Sequence, residues 1–232
     1  RRGARTANII WGNKESVLVG DFIFARAFEL MVGARNLEVL QILSSASGVI
    51  AEGEVLQLAT QKNLAATFEM YLAVVESKTA ALFSAATHSG AVISEASDPV
   101  AEALKNYGRN LGIAYQLIDD ALDYAGYEAS LGKSIGDDFR EGKMTLPVVY
   151  AIARATPDEA AFWKRTIADG RQGPEDFARA REIVSRNGAL ADTHLCARRY
   201  ADRALEDLTH APDNAFSRAL AALAETSLTR GF

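Results

Sequence analysis

The sequence predicts an all-α protein, and three observations support that reading. Apolar residues recur at i, i+3, i+4 and i+7 through most of the chain, the spacing of one helical face. Four of the five prolines stand where such stretches begin, in Asp98-Pro99, Thr156-Pro157, Gly173-Pro174 and Ala211-Pro212, where a missing N–H is tolerated. Alanine, the best helix former, is abundant, and alternating Val/Ile/Thr runs are absent.

Taken in order, the periodicity predicts helices over 14–33, 37–60, 67–90, 99–125, 141–154, 157–169, 174–186, 189–209 and 213–229. Thr156 followed by Glu159 reads as a capping box. The central helices are more apolar than the terminal ones, so their polar residues call for a reason. In 37–60, Ser44, Ser47, Gly48 and Ala51 share one stripe. Small residues there either admit a close helix neighbour or leave an open floor. In 67–90, Lys78 and Thr79 interrupt an apolar helix. No repeat, low-complexity tract or linker is visible, which points to a single domain.

Composition excludes several functions. A chain of 232 residues is long enough for a sizeable core. A net charge of −5 with interspersed signs argues against a nucleic-acid surface. The lone Cys196 rules out an intrachain disulfide framework and any multi-cysteine metal site, and fits a reducing cytoplasm. No apolar run reaches the roughly 18 residues that span a bilayer. No signal peptide is visible either, so no transmembrane segment is expected. His88, His194 and His210 lack metal-ligand spacing.

The segment YQLIDDALDYAG, residues 115–126, carries the chemistry. Asp119 and Asp123 are i and i+4, and Asp120 and Asp123 are i and i+3, so three carboxylates crowd one face. They sit toward the C-terminal end of 99–125, the wrong end for anions in the helix dipole. No lysine or arginine lies between Gly112 and Gly132 to relieve them. The next stretch, LGKSIGDDFREGKMTLP, is a glycine-punctuated loop with Lys133, Asp137, Asp138, Arg140 and Lys143. Gly132, Gly136 and Gly142 allow its backbone close to a ligand. Each feature alone is ordinary: a solvated face, a snorkelling lysine, a turn. Together, acids that need cations beside cations that need anions point to a bridging magnesium–phosphate ligand. Mg²⁺ binds through one or two carboxylates plus substrate phosphates.

In one order, RRGARTANIIWGNKESVLVGDFIFARAF, IAEGEVLQL, KTAALF, YGRNLGIAYQLIDDALDY and GKSIGDDFREGKMTLP resemble the trans-polyprenyl diphosphate synthases, over residues 1 to 147. The resemblance is to long-chain members such as octaprenyl diphosphate synthases. It implies an isoprenoid-synthase-type helical bundle around a central cavity, homodimeric, cytoplasmic and dependent on Mg²⁺. The implied reaction joins an allylic prenyl diphosphate to isopentenyl diphosphate and releases pyrophosphate. The long-chain type implies a product of about C40, used for quinone side chains.

The chemistry explains the residue types. Ionising the allylic C–O bond leaves an allyl cation and a strongly anionic leaving group, which positioned cations stabilise. Apolar walls exclude the water that would trap the cation. By resemblance Asp119 is a direct magnesium ligand, with Asp120 and Asp123 acting directly or through water. Lys78, Lys133 and Lys143 grip the allylic diphosphate, and Thr79 and Gln116 line the same pocket. Arg1 matches an arginine on the allylic diphosphate, and Arg2 one on isopentenyl diphosphate.

In the family a first aspartate-rich motif lies immediately before RRG, and this chain opens at Arg1. The expectation is a synthase domain over 1–232 that is N-terminally incomplete. Alone it should bind magnesium pyrophosphate weakly and fail to elongate isoprenoids. Two other classes share part of the pattern. A non-catalytic or regulatory prenyl synthase subunit would lack the first motif. A class I terpene cyclase ionises a similar substrate but has no use for the lysine loop.

Overall fold

In the computed structural model, which describes residues 5–125 and 135–229, every regular element is a helix. They are α1 (Ala7–Trp11), α2 (Asn13–Gly33), α3 (Leu37–Thr60), α4 (Phe68–Val75), a π turn (Glu76–Ala80), α5 (Ala81–Ile93) and α6 (Asp98–Ala125). Next come α7 (Asp137–Glu141), α8 (Leu146–Ala153), α9 (Pro157–Trp163), a second π turn (Lys164–Ala168), α10 (Asp176–Arg186), α11 (Ala189–Leu208) and α12 (Ala215–Leu228). α6 is the hub: α5 packs along one side of it and α11 along the other. α3 packs against α5 and the first π turn.

Glycine sets how closely these helices approach. A Cβ on Gly53 of α3 would lie 2.7 Å from the Lys78 backbone nitrogen. A Cβ on Gly112 of α6 would lie 2.7 Å from Ala80 Cα. Only glycine permits backbones that close. α3 buries Val39, Ala46, Gly53 and Thr60, a narrow seam of every seventh residue. The stripe of Ser44, Ser47, Gly48 and Ala51 does not lie on that seam, and around Gly48 there is open space. The close-packing explanation of that stripe is therefore set aside among the described residues.

With Ile113, Leu117 and Tyr124 of α6 the core gathers Phe139, Phe162 and Trp163. A smaller cluster of Tyr107, Leu111, Ala204, Leu208 and Ala224 ties α6 to α11 and α12. Arg165 braces the rear of the molecule with a bidentate pair to Asp176, at 2.7 and 2.9 Å. That hydrogen bonding lowers the Asp176 carboxyl to about 2.

Several sequence expectations need adjusting. The helix expected over 141–154 begins only at Leu146, as α8, and the stretch read as a loop holds the short α7, which ends at Gly142 with φ 70°. Pro157 does open a helix, and the Thr156–Glu159 capping box forms, at 3.3 and 2.8 Å. Pro174 and Pro212 instead precede their helices, and Asn214 caps α12 with bonds of 2.8 and 3.0 Å. α1 is not foreseen by the periodicity; five residues are too few to show a period. By length and composition alone, α3 could cross a membrane, which the expectation of no spanning segment does not register. In the fold its Gly53 packs on the π turn, and its Glu54 and Gln57 engage Lys78. α2 buries none of its residues, although Phe22, Ile23, Phe24 and Leu30 are among them.

The glycine contacts give a stability test. Gly112→Ala should destabilise by about 1–3 kcal/mol, because its methyl meets backbone that cannot rotate away. Gly48→Ala, in open space, should be neutral or up to about 1 kcal/mol stabilising through helix propensity. Urea denaturation of both variants checks this; equal midpoints would refute the close approach of α6 to the π turn.

Candidate active site

The first π turn interrupts the helical run at Lys78 and Thr79. One widened turn shifts the register of the residues beyond it, a device frequent at functional sites. Lys78 reaches α3, where Nζ donates to Glu54 Oε2 at 2.9 Å and to Gln57 Oε1 at 2.7 Å. Thr79 reaches α6 instead, and its hydroxyl donates to Gln116 Oε1 at 3.0 Å. Gln116 Nε2 donates to Asp120 Oδ1 at 2.7 Å, one turn further along α6. On the far oxygen, Asp120 Oδ2 accepts from the Tyr71 hydroxyl at 2.6 Å.

These bonds answer how the carboxylates are accommodated. Asp120 is 4% exposed and Asp123 3% exposed, so both need donors. Asp120 has Tyr71 and Gln116. Asp123 Oδ2 accepts from the Asp138 backbone N–H at 3.1 Å, and its carbonyl accepts from Gly136 N–H at 3.2 Å. The stretch around α7 is thereby folded back over the end of α6. Gly136 makes that turn with φ 79°, and a Cβ there would sit 2.6 Å from the Phe177 ring. Lys143 supplies the cation, with Nζ 3.0 Å from Asp138 Oδ1 and 2.8 Å from Glu141 Oε2.

Electrostatics reflect this layout. Burial pushes the Asp120 carboxyl up to about 8, and the nearby Asp138 and Asp119 add to it. The bonds from Tyr71 and Gln116 hold it back only in part. Burial, then the charge of Asp120, drives the Tyr71 phenol well above its ordinary range. Burial works to lower the Lys143 ammonium, but its bonds to Glu141 and Asp138 win and hold it above the usual lysine value.

The structure thus links Thr79, Gln116 and Asp120 in one chain and Asp123 and Lys143 through Asp138, while Lys78 bonds to Glu54 and Gln57 on α3 and is not joined to that chain. Asp119 is half-buried on the same turn of α6. Arg1, Arg2 and Lys133 lie outside the described residues. Among the described residues, no three acidic, histidine or cysteine side chains converge as a ready metal cage. The donor set still fits magnesium in kind. Carboxylate oxygens are its preferred ligands, and one or two of them with substrate phosphates suffice. Sequence reasoning gives no site role to Tyr71, Glu54, Gln57 or Asp138. Asp138 stands in the loop motif beside Asp137; nothing in the sequence marks Tyr71, which meets Asp120 only through folding.

Solved structures share this fold. A decaprenyl diphosphate synthase from Rhodobacter capsulatus superposes with TM-score 0.94 at 49% identity, covering 100% of this chain and 71% of the other. A polyprenyl synthase from Caulobacter crescentus, complexed with calcium and isoprenyl diphosphate, gives 0.96 at 51%, with the same coverage. The class is therefore the isoprenoid-synthase helical fold. The polyprenyl synthetase family model matches residues 1–184. Octaprenyl diphosphate synthase of Escherichia coli is 42% identical over 230 residues, 99% of this chain and 71% of that one. The chain belongs to the polyprenyl synthetase family and is a prenyltransferase.

Asp120 should also set a pH dependence. Its folded value lies above the unfolded value of about 3.9, so the folded state holds the proton more tightly. Its contribution to stability is full below that unfolded value and is lost as pH rises toward about 8. In metal-free buffer the melting temperature should fall across this window, and Asp120→Asn should flatten the fall. A calorimetric scan at several pH values checks it; parallel curves for the two proteins would refute it.

Proposed function

We propose that residues 1–232 form one domain of a long-chain polyprenyl diphosphate synthase, which condenses isopentenyl diphosphate with an allylic prenyl diphosphate. The observation behind this reading is the convergence at the end of α6. Thr79 and Gln116 reach Asp120 there, Asp123 and Lys143 meet through Asp138, Asp119 lies on the same turn, and Lys78 stands beside Thr79 on the π turn with its ammonium toward α3. Lys78 exchanges its bonds to Glu54 and Gln57 for oxygens of the allylic diphosphate, and Thr79 and Gln116 line the same pocket. By the family resemblance Lys143 and Lys133 act on the leaving group, and Arg1 and Arg2 on the allylic and isopentenyl diphosphates; of these four, Lys143 alone is among the described residues. As the C–O bond breaks, its electron pair leaves with the diphosphate. Positioned ammonium groups offset that growing charge without needing to reorganise. Asp119, with Asp120 and Asp123, would hold Mg²⁺, which when bound screens the diphosphate charge.

The product is of about C40 length, for quinone side chains, an assignment by analogy with long-chain synthases. The open stripe of Ser44, Ser47, Gly48 and Ala51 gives a growing chain room to pass. The enzyme acts as a homodimer in the cytoplasm. α2 supports the dimer: a helix apolar on several sides yet nowhere buried calls for a cover. The lone, buried Cys196 suits a reducing compartment.

Label incorporation from isopentenyl diphosphate into chain-extended product, measured on the product of the full reading frame, tests the reading directly; none with any allylic primer would refute it. Magnesium and pyrophosphate together should raise the melting temperature, by the equivalent of about 2.7 kcal/mol when free ligand is 100 times its Kd. Asp119→Asn should abolish that joint effect, and equal shifts in both proteins would remove Asp119 from the site. Ser47→Phe or Gly48→Phe should shorten the product. An unchanged product ladder from a folded variant would close that route.

A further inference from the structure

Tyr71 has no part in the proposed reaction, yet it ends the hydrogen-bond chain that begins at the diphosphate pocket. It lies on α4, before the π turn, and is buried. Its hydroxyl donates to Asp120 Oδ2 at 2.6 Å. Asp120 Oδ1 accepts from Gln116 Nε2 at 2.7 Å. With the Gln116 amide N–H committed there, its Oε1 faces Thr79, whose hydroxyl must donate, at 3.0 Å. With the Asp120 carboxylate ionised, every link has one direction. The chain also crosses the π turn, holding the helical run to α6 at Tyr71 before the turn and at Thr79 within it.

We propose that Tyr71 is a positioning residue for prenyl transfer: through Asp120 and Gln116 it fixes the Thr79 edge of the allylic diphosphate pocket. Asp120 is then a strut between Tyr71 and Gln116, with both oxygens already accepting. Removing the phenolic hydroxyl frees one oxygen of a buried carboxyl. The carboxyl can then turn, and Gln116 loses the partner that sets its amide. A side chain that orients a binding group without touching substrate typically changes activity roughly 10–100-fold when altered.

The inference rests on the proposed function, and its test separates the two. Tyr71→Phe keeps the ring and removes only the hydroxyl. It should lower kcat/KM for the allylic diphosphate roughly 10–100-fold and leave the KM for isopentenyl diphosphate unchanged. A Tyr71→Phe/Thr79→Ala double variant should be no worse than Thr79→Ala alone, because both changes cut one chain. Wild-type kinetics in Tyr71→Phe, or effects that multiply in the double variant, would overturn it. So would equal loss toward both substrates, the signature of a tyrosine that only supports the fold. The melting shift with magnesium pyrophosphate supplies a readout independent of turnover and should be smaller in Tyr71→Phe. If the wild-type product of the full reading frame transfers no prenyl group, the proposed function falls and this shift decides the inference, with equal shifts overturning it. A wild type that neither transfers nor shifts overturns both.

Discussion

The approach of three backbones around the first π turn is the constraint on which the rest depends. Gly53 lets α3 lie against Ser77 and Lys78, and Gly112 lets α6 lie against Ala80. Because the turn is gripped on both sides, neighbouring residues point in different directions: Lys78 to α3 and Thr79 to α6. A regular α-helix between more distant neighbours would not divide these side chains in that way. Packing density therefore decides the site geometry, and a core this tight cannot shift one helix without moving the others.

Two buried aspartates show how environment, rather than residue type, sets charge. Asp176 faces Arg165, which holds it at about 2, so it stays ionised and braces the rear core. Asp120, more deeply buried, has a phenol and an amide instead of a cation and sits near other acids, which leaves it at about 8. The second arrangement costs stability, because desolvation and neighbouring charge both oppose ionisation. A structural scaffold gains nothing from that cost. A site that meets cations with its ligand recovers it on binding. The acids visible in the sequence and the donors supplied by folding thus occupy one place, the end of α6.

The first two long helices of the chain stand apart from α6. α6 buries more than half its length, whereas α2 buries nothing. Phe22, Ile23, Phe24, Phe28 and Leu30 meet no core among the described residues. Apolar surface on that scale exceeds the scattered single exposed hydrophobics usual on a protein surface. α3 is intermediate, buried only along its narrow seam.

The sequence by itself determined the helical class, the bounds of most helices and the acidic and basic motifs, because these are local. Helical period, the Thr156 cap and the Asp119–Asp123 spacing depend on residues a few positions apart. It also contained the motifs of the family. It did not reveal the π turn, since widening one turn leaves the apolar pattern almost intact, nor the break at Gly142, whose positive φ is a backbone choice. Only the tertiary structure paired Tyr71 with Asp120 and Lys78 with Glu54, residues far apart in the chain. Only it showed that Ser44, Ser47 and Gly48 stay off the packing seam. Which donor meets a buried carboxylate depends on which helices lie side by side, and that is settled by the glycines at their crossings, not by the carboxylate's own neighbours in sequence.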